Sequence, residues 1–423
     1  MVAMEMTRKI AKKFQSAMLV VRQNGVLELG VRTLQYTQKK VAKKRPSTLH
    51  QVYTGAIYDE ILTADIHKPA NRNWKGTTKK QLTFNWLMPP PGEGSGGHMT
   101  IFRFIEQLEK AGHVCRIYFH NPGKGSTVEA VKAVMGNAFP KVKAEMQWLW
   151  QDEDMAEADG IFATSWQTAY TVYNSKVAAK KFYFVQDFEP YFYPIGSLYI
   201  LAENTYRLGL RGITAGNWLK KVTSENYGMV SDGFAFGSDS KVYHFAKNKD
   251  RKAVVFYARP FTERRAFELG VLTLDLFHRK HPDYEINFVG WDISAVNIPF
   301  PYNNLGILTP AQLNEVYNKC SAALVMSLTN ASLLPLELLS SGCIPVVNEG
   351  DNNRLVINNE HIIKYCQSDP ASLAEGLSEI VSDKDLLSKS QVASNSVKSN
   401  DWSESIQKTI KIIEKSVRAK GEL

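Results

Sequence analysis

Two arginines stand between a predicted strand and a predicted helix in the second half of the chain. The strand is Ala253–Tyr257, the arginines are Arg259 and Arg264, and the helix spans residues 266–277. The N-terminal end of a helix carries partial positive charge, so it is a poor place for purely structural cations. Guanidinium groups bind phosphate oxygens through paired hydrogen bonds. The position therefore predicts that Arg259 and Arg264 hold an anion; the alternative is a pair of surface cations.

Two carboxylates, Asp187 and Glu189, follow another apolar strand, predicted over residues 181–185. In an open α/β sheet, ligands bind at the carboxyl ends of the strands. Carboxylates at that edge can orient a hydroxyl group or stabilise a cationic transition state. We expect both residues to belong to a site. The alternative is that they form a turn and cap a helix.

A third stretch has the pattern of a strand, a loop, a helix and a second strand. The predicted strands are residues 322–327 and 344–347, and the predicted helix is 333–341. The loop 329–332 then leads from the carboxyl end of the first strand to the N-terminus of the helix. Free backbone N–H groups at a helix N-terminus attract an anion. Glu337 lies one turn into the helix, so we expect it to accept hydrogen bonds from sugar or ribose hydroxyl groups. The alternative is a plain α/β unit without a ligand.

A glycine-rich loop separates the first predicted strand, residues 81–88, from a helix predicted over 99–111. Its last residues are Gly96, Gly97 and His98. Glycines at a strand-to-helix turn let the backbone approach a bound group closely. Their spacing is not G-x-G-x-x-G, which argues against a dinucleotide site. For His98 the alternative is a helix-start residue that binds no ligand.

An acidic triplet, Asp152, Glu153 and Asp154, follows the strand predicted over residues 145–150. An Asp-x-Asp pattern in this place can hold Mg²⁺ or Mn²⁺ under a diphosphate, because carboxylate oxygens suit these hard ions. The alternative is an acidic loop that caps the next helix. We favour the helix cap because a second α/β half lies downstream.

Length and composition describe a globular protein of two domains. The chain has 423 residues, of which 44% are hydrophobic and 22% charged, which is enough for two full cores. No run approaches the roughly 18 apolar residues of a membrane span, and no signal peptide is recognisable. The four cysteines are far apart and form no C-x-x-C pair, so we expect a reducing cytosol, without a zinc site or a disulfide framework.

The net charge of +9 is concentrated in an N-terminal arm. Residues 1–50 hold eleven Lys or Arg and two acids, and the rest of the chain has as many acids as bases. This balance argues against nucleic acid as a partner of the body. The arm predicts two basic amphipathic helices before Pro46, and such helices bind anionic membrane surfaces. The alternative is that their apolar stripes pack on the body.

These stretches together resemble the family 4 glycosyltransferases, retaining enzymes with two facing Rossmann-like domains, the GT-B fold. That family has a glutamate, seven residues, a second glutamate and then Gly-x-Pro-Val-Val. Here Glu337 is the second glutamate, Gly342 begins the tail, and Thr329 stands in place of the first glutamate. The family's arginine and lysine that grip the donor diphosphate correspond to Arg259 and Arg264.

The resemblance implies further site residues. The segment Gly96–His98 matches the family's first loop, which approaches the donor's phosphates and sugar. The backbone near Ile307 is expected to meet the nucleotide base. The other donor contacts are expected at Asn330, Leu333, Leu334 and Glu337. The catalytic groups are expected to be Asp187, Glu189 and His98, with no metal or other cofactor.

The segments 186–191 and 257–260 and the missing first glutamate look most similar to rhamnosyltransferases of the WsaF type. These build bacterial surface glycans from dTDP-β-L-rhamnose. The resemblance implies a nucleotide-sugar donor and a lipid-linked glycan acceptor at the cytoplasmic face of the cell membrane, with residues 1–46 as the membrane contact. Assembly with other glycan-synthesis enzymes is a further expected partnership.

The expected domains are an arm and connector at residues 1–78, an acceptor domain at 79–245, a nucleotide-sugar domain at 246–400, and a helix at 401–423 that crosses back to the acceptor domain. Three alternatives stay open. They are a nucleotide-sugar epimerase on the same fold, a non-catalytic sugar-nucleotide-binding module, and a metal-dependent transferase that uses Asp152 and Asp154.

Overall fold

The protein is described from a computed structural model. It describes residues 57–420 apart from 93–94, 121–126, 137–138, 151–154, 248–249, 332, 358 and 400–401. The predicted arm helices and the acidic triplet therefore lie outside the described residues. Both sheets belong to one compact unit, residues 60–423.

The first sheet has seven strands within the described residues, all parallel, in the order β3-β2-β1-β4-β5-β6-β7. Its central strands are continuous apolar runs, which suit a sheet covered on both faces. The strands are β1 (Thr83–Met88), β2 (Val114–Phe119), β3 (Glu145–Trp148), β4 (Gly160–Ala163), β5 (Lys180–Val185), β6 (Arg211–Ala215) and β7 (Ser231–Phe234).

Helices connect these strands and cover the faces of the first sheet. They are α2 (Gly96–Lys110), α3 (Val128–Met135), α4 (Trp166–Asn174), α5 (Ser197–Asn204) and α6 (Asn217–Tyr227), with short 3₁₀ turns at Glu189–Phe192 and Thr205–Arg207. A short helix, α1 (Tyr58–Thr63), precedes strand β1. Helix α4 starts at a reciprocal capping box between Ser165 and Thr168, which satisfies backbone groups that a helix start leaves free. We call this sheet with its helices the first domain.

The second sheet has six strands within the described residues, again all parallel, in the order β10-β9-β8-β11-β12-β13. The strands are β8 (Ala253–Tyr257), β9 (Glu285–Val289), β10 (Asn303–Asn304), β11 (Cys320–Val325), β12 (Ile344–Asn348) and β13 (Lys364–Cys366). The predicted fold class, α/β with two parallel-stranded Rossmann-like domains, is confirmed.

The second domain consists of this sheet and the helices between its strands. The helices are α7 (Phe267–Lys280), α8 (Pro310–Lys319), α9 (Leu334–Ser340), α10 (Asp351–Ile357), α11 (Pro370–Val381) and α12 (Leu386–Ser396), with a 3₁₀ turn at Glu263–Arg265. Helix α9 is followed by Gly342 at φ 72°. A glycine there ends the helix without the steric cost that a side chain would bring.

The last helix, α13 (Trp402–Arg418), packs on the first domain. Its Val417 carbonyl accepts a hydrogen bond from Nε1 of Trp74 at 3.0 Å. One turn earlier, Oε1 of Glu414 lies 2.7 Å from Nε2 of His113, a buried residue just before β2. The end of the chain is thus attached to the first domain after passing through the second.

Candidate active site

Loops at the carboxyl ends of the two sheets meet at Asp187. Asp187 follows strand β5 of the first domain, and Thr329 and Asn330 follow strand β11 of the second. The Asp187 carboxylate accepts hydrogen bonds from the Thr329 hydroxyl at 3.1 Å and from the backbone N–H of Asn330 at 2.9 Å. The predicted site carboxylate therefore lies where the two domains touch, beside the residue that replaces the family's first glutamate.

Asn330 joins the two domains through its side chain. It is 2% exposed, and its Nδ2 donates to the carbonyl oxygens of Gln186 and Ala215, each at 3.0 Å. These carbonyls lie at the ends of strands β5 and β6, so both amide hydrogens are used within the protein. The structure thus gives the Asn330 amide nitrogen an interdomain role, and the predicted donor contact of Asn330 stays a prediction.

Arg264 reaches from the second domain to the first. Its Nε lies 3.4 Å from Oδ2 of Asp187, and its guanidinium carbon lies 4.2 Å from the ring centroid of Phe192. The side chain remains partly exposed. A guanidinium held between a carboxylate and an aromatic face keeps a defined orientation while still offering N–H groups to a ligand.

Two further arginines accompany Arg264. Nη2 of Arg259 donates to the Tyr257 hydroxyl at 3.1 Å, and Nη1 of Arg265 donates to the Ser327 hydroxyl at 2.7 Å. Arg259, Arg264 and Asp187 are the charged neighbours of Arg265, and burial, reinforced by the two arginines, lowers the pKa of Arg265. Our sequence reasoning missed Arg265. Its signal was a third arginine directly after Arg264.

The backbone that carries these arginines is strained. Ala266 has φ 44°, the left-handed region, and it is the one non-glycine residue with positive φ in the described part of the chain. It joins the 3₁₀ turn Glu263–Arg265 to helix α7. Such a conformation costs about 1–3 kcal/mol and is found where the surroundings enforce it, often at functional sites.

Glu189 is turned into the first domain. It is 7% exposed, and its two oxygens accept hydrogen bonds from the Trp166 backbone N–H at 2.8 Å and the Tyr183 hydroxyl at 2.7 Å. Burial raises the pKa of Glu189 to about 7, although these hydrogen bonds oppose the rise. These contacts are those of the alternative, a cap on helix α4, and the catalytic role of Glu189 stays a prediction.

Glu337 lies on helix α9 of the second domain and faces Arg103 of the first domain and Asp239, which follows strand β7. Burial raises the pKa of Glu337 to about 7; the positive charge of Arg103 and a hydrogen bond with Tyr243 oppose the rise, and Asp239 adds to it. Arg103 belongs to helix α2 and pairs with Asp239 at 3.3 Å. The predicted hydroxyl-binding carboxylate therefore sits in a polar cluster between the domains.

Both ring nitrogens of His98 are occupied. Nδ1 lies 2.8 Å from the Ser95 hydroxyl, and Nε2 lies 2.9 Å from the Pro89 carbonyl oxygen. Burial lowers the pKa of His98, and the hydrogen bond to Pro89 opposes this. The ring therefore ties the start of helix α2 to the end of strand β1, which is the structural alternative for this residue.

Gly96 and Gly97 open helix α2 and are exposed. A Cβ added at Gly97 would lie 3.4 Å from Nε2 of Gln186, whereas a Cβ at Gly96 would meet nothing within 4 Å. The glycine loop is thus brought beside the residue that precedes Asp187. The glycine loop after β1 and the segment after β5, both predicted to belong to the site, are therefore close together in the structure.

Exposed apolar side chains mark the carboxyl edge of the second sheet. Ile307 is 69% exposed, and Phe261 is 83% exposed with its ring centroid 5.6 Å from that of Trp291. Leu333 and Leu334, at the start of helix α9, are half-buried. The pair Phe261 and Trp291 escaped our sequence analysis; each aromatic residue follows a strand end, β8 or β9, which is the available signal.

Within the described residues, no cluster of three or more His, Cys, Asp or Glu side chains is suited to bind a metal ion. The described helices include none that is long and apolar enough to cross a membrane. The four cysteines, Cys115, Cys320, Cys343 and Cys366, are buried free thiols. Asp152 and Asp154, the alternative metal ligands, lie outside the described residues.

Two parallel-stranded domains whose strand ends meet at charged loops form the GT-B fold, and the matches with known proteins identify a glycosyltransferase. Residues 143–217 match the WsaF N-terminal domain, and residues 252–378 match the WsaF C-terminal domain. Both halves of the chain therefore contain a segment that matches a WsaF domain, as the resemblance in the sequence implied.

Known proteins agree with this placement. The O-antigen biosynthesis protein RfbC of Myxococcus xanthus is 30% identical over 345 residues, which cover 78% of this chain and 27% of that protein. The chain thus spans about a quarter of the length of this curated relative. Among solved structures, HepE of Anabaena, in complex with UDP and glucose, has a TM-score of 0.61 at 12% identity and covers 79% of this chain and 100% of its own.

Two other solved structures share the fold. A glycosyltransferase from Rickettsia africae has a TM-score of 0.58 at 15% identity, over 80% of this chain and 99% of its own. An alpha-glucosyltransferase in complex with UDP and DNA has a TM-score of 0.55 at 16% identity, and the match covers 79% of this chain and 99% of that protein. At such identities the likeness supports the fold alone.

Proposed function

We propose that this chain transfers a sugar from a nucleotide-sugar donor to a growing bacterial surface glycan. The observation that carries the proposal is the cluster of Arg259, Arg264 and Arg265 at the carboxyl edge of the second sheet, where Arg264 faces Asp187 of the first domain. The surplus of positive charge suits a diphosphate group. The similarity to an O-antigen biosynthesis protein supports a surface glycan as the product.

The donor we propose is dTDP-β-L-rhamnose, transferred with retention of the anomeric configuration. The two WsaF domain matches support this choice, together with the segments around Gln186 and Tyr257. The exposed pair Phe261 and Trp291 is suited to stack on the base of such a donor, because offset and edge contacts between rings are favourable.

Charge explains how the site would act. Negative charge grows on the leaving diphosphate as its bond to the sugar breaks, and fixed cations stabilise that charge. We propose that Arg259 and Arg264 supply these cations, so that no metal ion is needed. Asp187 lies beside Arg264, so its carboxylate can orient an acceptor hydroxyl or offset the positive charge of the sugar in the transition state.

The acceptor we propose is a lipid-linked glycan at the inner face of the cell membrane. The basic arm, residues 1–46, is the proposed contact with anionic lipids. A protein that extends such a glycan is also expected to work beside other glycan-synthesis enzymes. The support is the charge distribution, in which the arm carries the whole net charge of the chain.

Incubation with dTDP-rhamnose, a UDP-sugar or a GDP-sugar, with and without a synthetic glycan acceptor, tests the proposal. We expect release of nucleoside diphosphate and a glycosylated product only when both dTDP-rhamnose and the acceptor are present. Conversion of the donor alone into an epimer would identify an epimerase. Tight donor binding without turnover would identify a non-catalytic module, for which the missing first glutamate at Thr329 is the supporting observation.

A further inference from the structure

Two of the three arginines at the site have neutral partners. In the part of the chain that the structure describes, Arg259 contacts the Tyr257 hydroxyl and Arg265 contacts the Ser327 hydroxyl. Arg264 alone pairs with a carboxylate, that of Asp187. Partly buried charges need compensation, because removing them from water is costly. The cluster therefore has more positive charge than its protein partners balance.

Arg265 is held in place by a buried hydroxyl. Ser327 is 1% exposed, and its hydroxyl hydrogen is donated to the Asn330 carbonyl at 2.9 Å. Its oxygen is therefore left to accept from Nη1 of Arg265 at 2.7 Å. The left-handed Ala266 directly after Arg265 fixes the backbone as well. Arg265 is thus oriented before any ligand arrives.

Arg264 differs from Arg265 because it has a competing anion. Its Nε faces Asp187 of the first domain, so a ligand that uses this edge of the guanidinium must share it with the carboxylate. Arg265 forms no ion pair with a carboxylate among the described residues, although Asp187 is one of its charged neighbours. The side chain is partly buried and not closed off from solvent, so its remaining N–H groups can reach a bound anion.

We propose that Arg265 is the third cation of an anion site for a diphosphate, and the one that is oriented in advance. This inference rests on the proposed function, since the diphosphate is that of the nucleotide-sugar donor. A diphosphate diester carries one negative charge on each phosphate. Three guanidinium groups and one carboxylate leave two positive charges, which match them. Each charge-assisted hydrogen bond adds affinity as well as orientation.

Calorimetric titration of the full chain with inorganic pyrophosphate and with dTDP tests the proposal. We expect Arg265→Gln to weaken the binding of both probes at least tenfold and Arg265→Lys to recover part of the loss, because the lysine restores the charge without the planar fork. Ser327→Ala, which removes only the orienting hydroxyl, should weaken both probes less than Arg265→Gln does. Arg279→Gln, an exposed arginine of helix α7 paired with Asp275, is the matched control and should bind as the wild type.

Several outcomes decide the matter. Unchanged pyrophosphate affinity in a folded Arg265→Gln variant overturns the proposal, as does an equal loss in Arg279→Gln. If Arg265→Gln does not fold, the Lys and Ser327→Ala variants carry the test, and unchanged affinity in both overturns it. A wild-type chain that binds pyrophosphate through Arg265 but transfers no sugar would keep this anion site and reject the proposed function.

Discussion

The Nε atom of Arg264 lies 3.4 Å from Oδ2 of Asp187, and this pair joins the two domains. The arrangement predicts that substitutions of the two residues affect dTDP binding differently. Arg264→Ala should weaken dTDP binding by about 1.5–3 kcal/mol, roughly ten- to a hundredfold, since a charge-assisted contact is lost. Asp187→Asn should not weaken it, because Arg264 is then released from its competitor, but kcat should fall. Calorimetry and steady-state kinetics check both, and equal effects of the two variants on affinity would contradict the prediction.

Asn330→Ala should destabilise the contact between the domains. The variant leaves the carbonyls of Gln186 and Ala215 without the hydrogen bonds that Nδ2 donates. An unsatisfied buried polar group costs about 1–3 kcal/mol, so we expect a loss of that size in the free energy of unfolding. Urea denaturation measures it. Asn226→Ala, at an exposed position of helix α6, is the control, and a similar loss there would refute the interdomain role.

The buried carboxyl group of Glu189 should make the free energy of unfolding depend on pH. Its pKa in the folded protein is raised to about 7, chiefly by burial. Since the ordinary value is lower, this group stabilises the fold fully below about pH 4.5, and its contribution is lost as the pH rises through about 7. Each unit of difference in pKa corresponds to about 1.4 kcal/mol. The free energy of unfolding should therefore fall between pH 5 and pH 8 on account of this group.

Glu189→Gln should reduce that fall, because the amide cannot ionise, whereas its oxygen can still accept a hydrogen bond. Part of the pH dependence should remain, since the pKa of Glu337 is raised in the same direction. Chemical denaturation at pH 5, 6, 7 and 8 provides the measurement. Glu404→Gln, on the exposed face of helix α13, is the control. The idea fails if both variants keep the wild-type slope.

Transfer should not need a metal ion. The arginines near Asp187 are expected to neutralise the leaving diphosphate, so activity should persist in EDTA. The double substitution Asp152→Asn with Asp154→Asn should then change kcat by less than about threefold. The loss of one charge-assisted hydrogen bond would have a larger effect. Loss of turnover in EDTA that Mn²⁺ restores would instead support the metal-dependent alternative at these two residues.

The basic arm should bind anionic membranes. Each basic residue close to such a surface contributes on the order of 1 kcal/mol, and salt screens the attraction. We expect cosedimentation with vesicles that contain anionic lipid, weaker binding at high salt and no binding to neutral vesicles. Deletion of residues 1–46 should abolish binding and spare transfer to a soluble acceptor mimic. An insoluble truncated chain, with an intact chain that ignores anionic vesicles, would mean that the arm packs on the body.

The sequence by itself determined the architecture of this protein, because the signals for it are local. The strand Ala253–Tyr257 has the bounds that its apolar run predicts, and the strand predicted over residues 344–347 is observed as Ile344–Asn348. Buried parallel strands need such runs wherever they lie in the sheet. The start of helix α8 was predictable for a similar reason: Thr309 and Pro310 are residues that favour a helix N-terminus. Arg259 and Arg264 were found because they follow a strand end and precede a helix.

Only the tertiary structure decided what the site residues contact. Asp187 and Thr329 are 142 positions apart in the chain and hydrogen-bonded in the fold. No local pattern encodes that distance, because it depends on how two domains pack. The same packing turns Asn330 into an interdomain contact, and the fold of the first domain buries Glu189 under helix α4. Whether a polar side chain binds a ligand or satisfies a neighbouring backbone group depends on which groups the folded chain places around it.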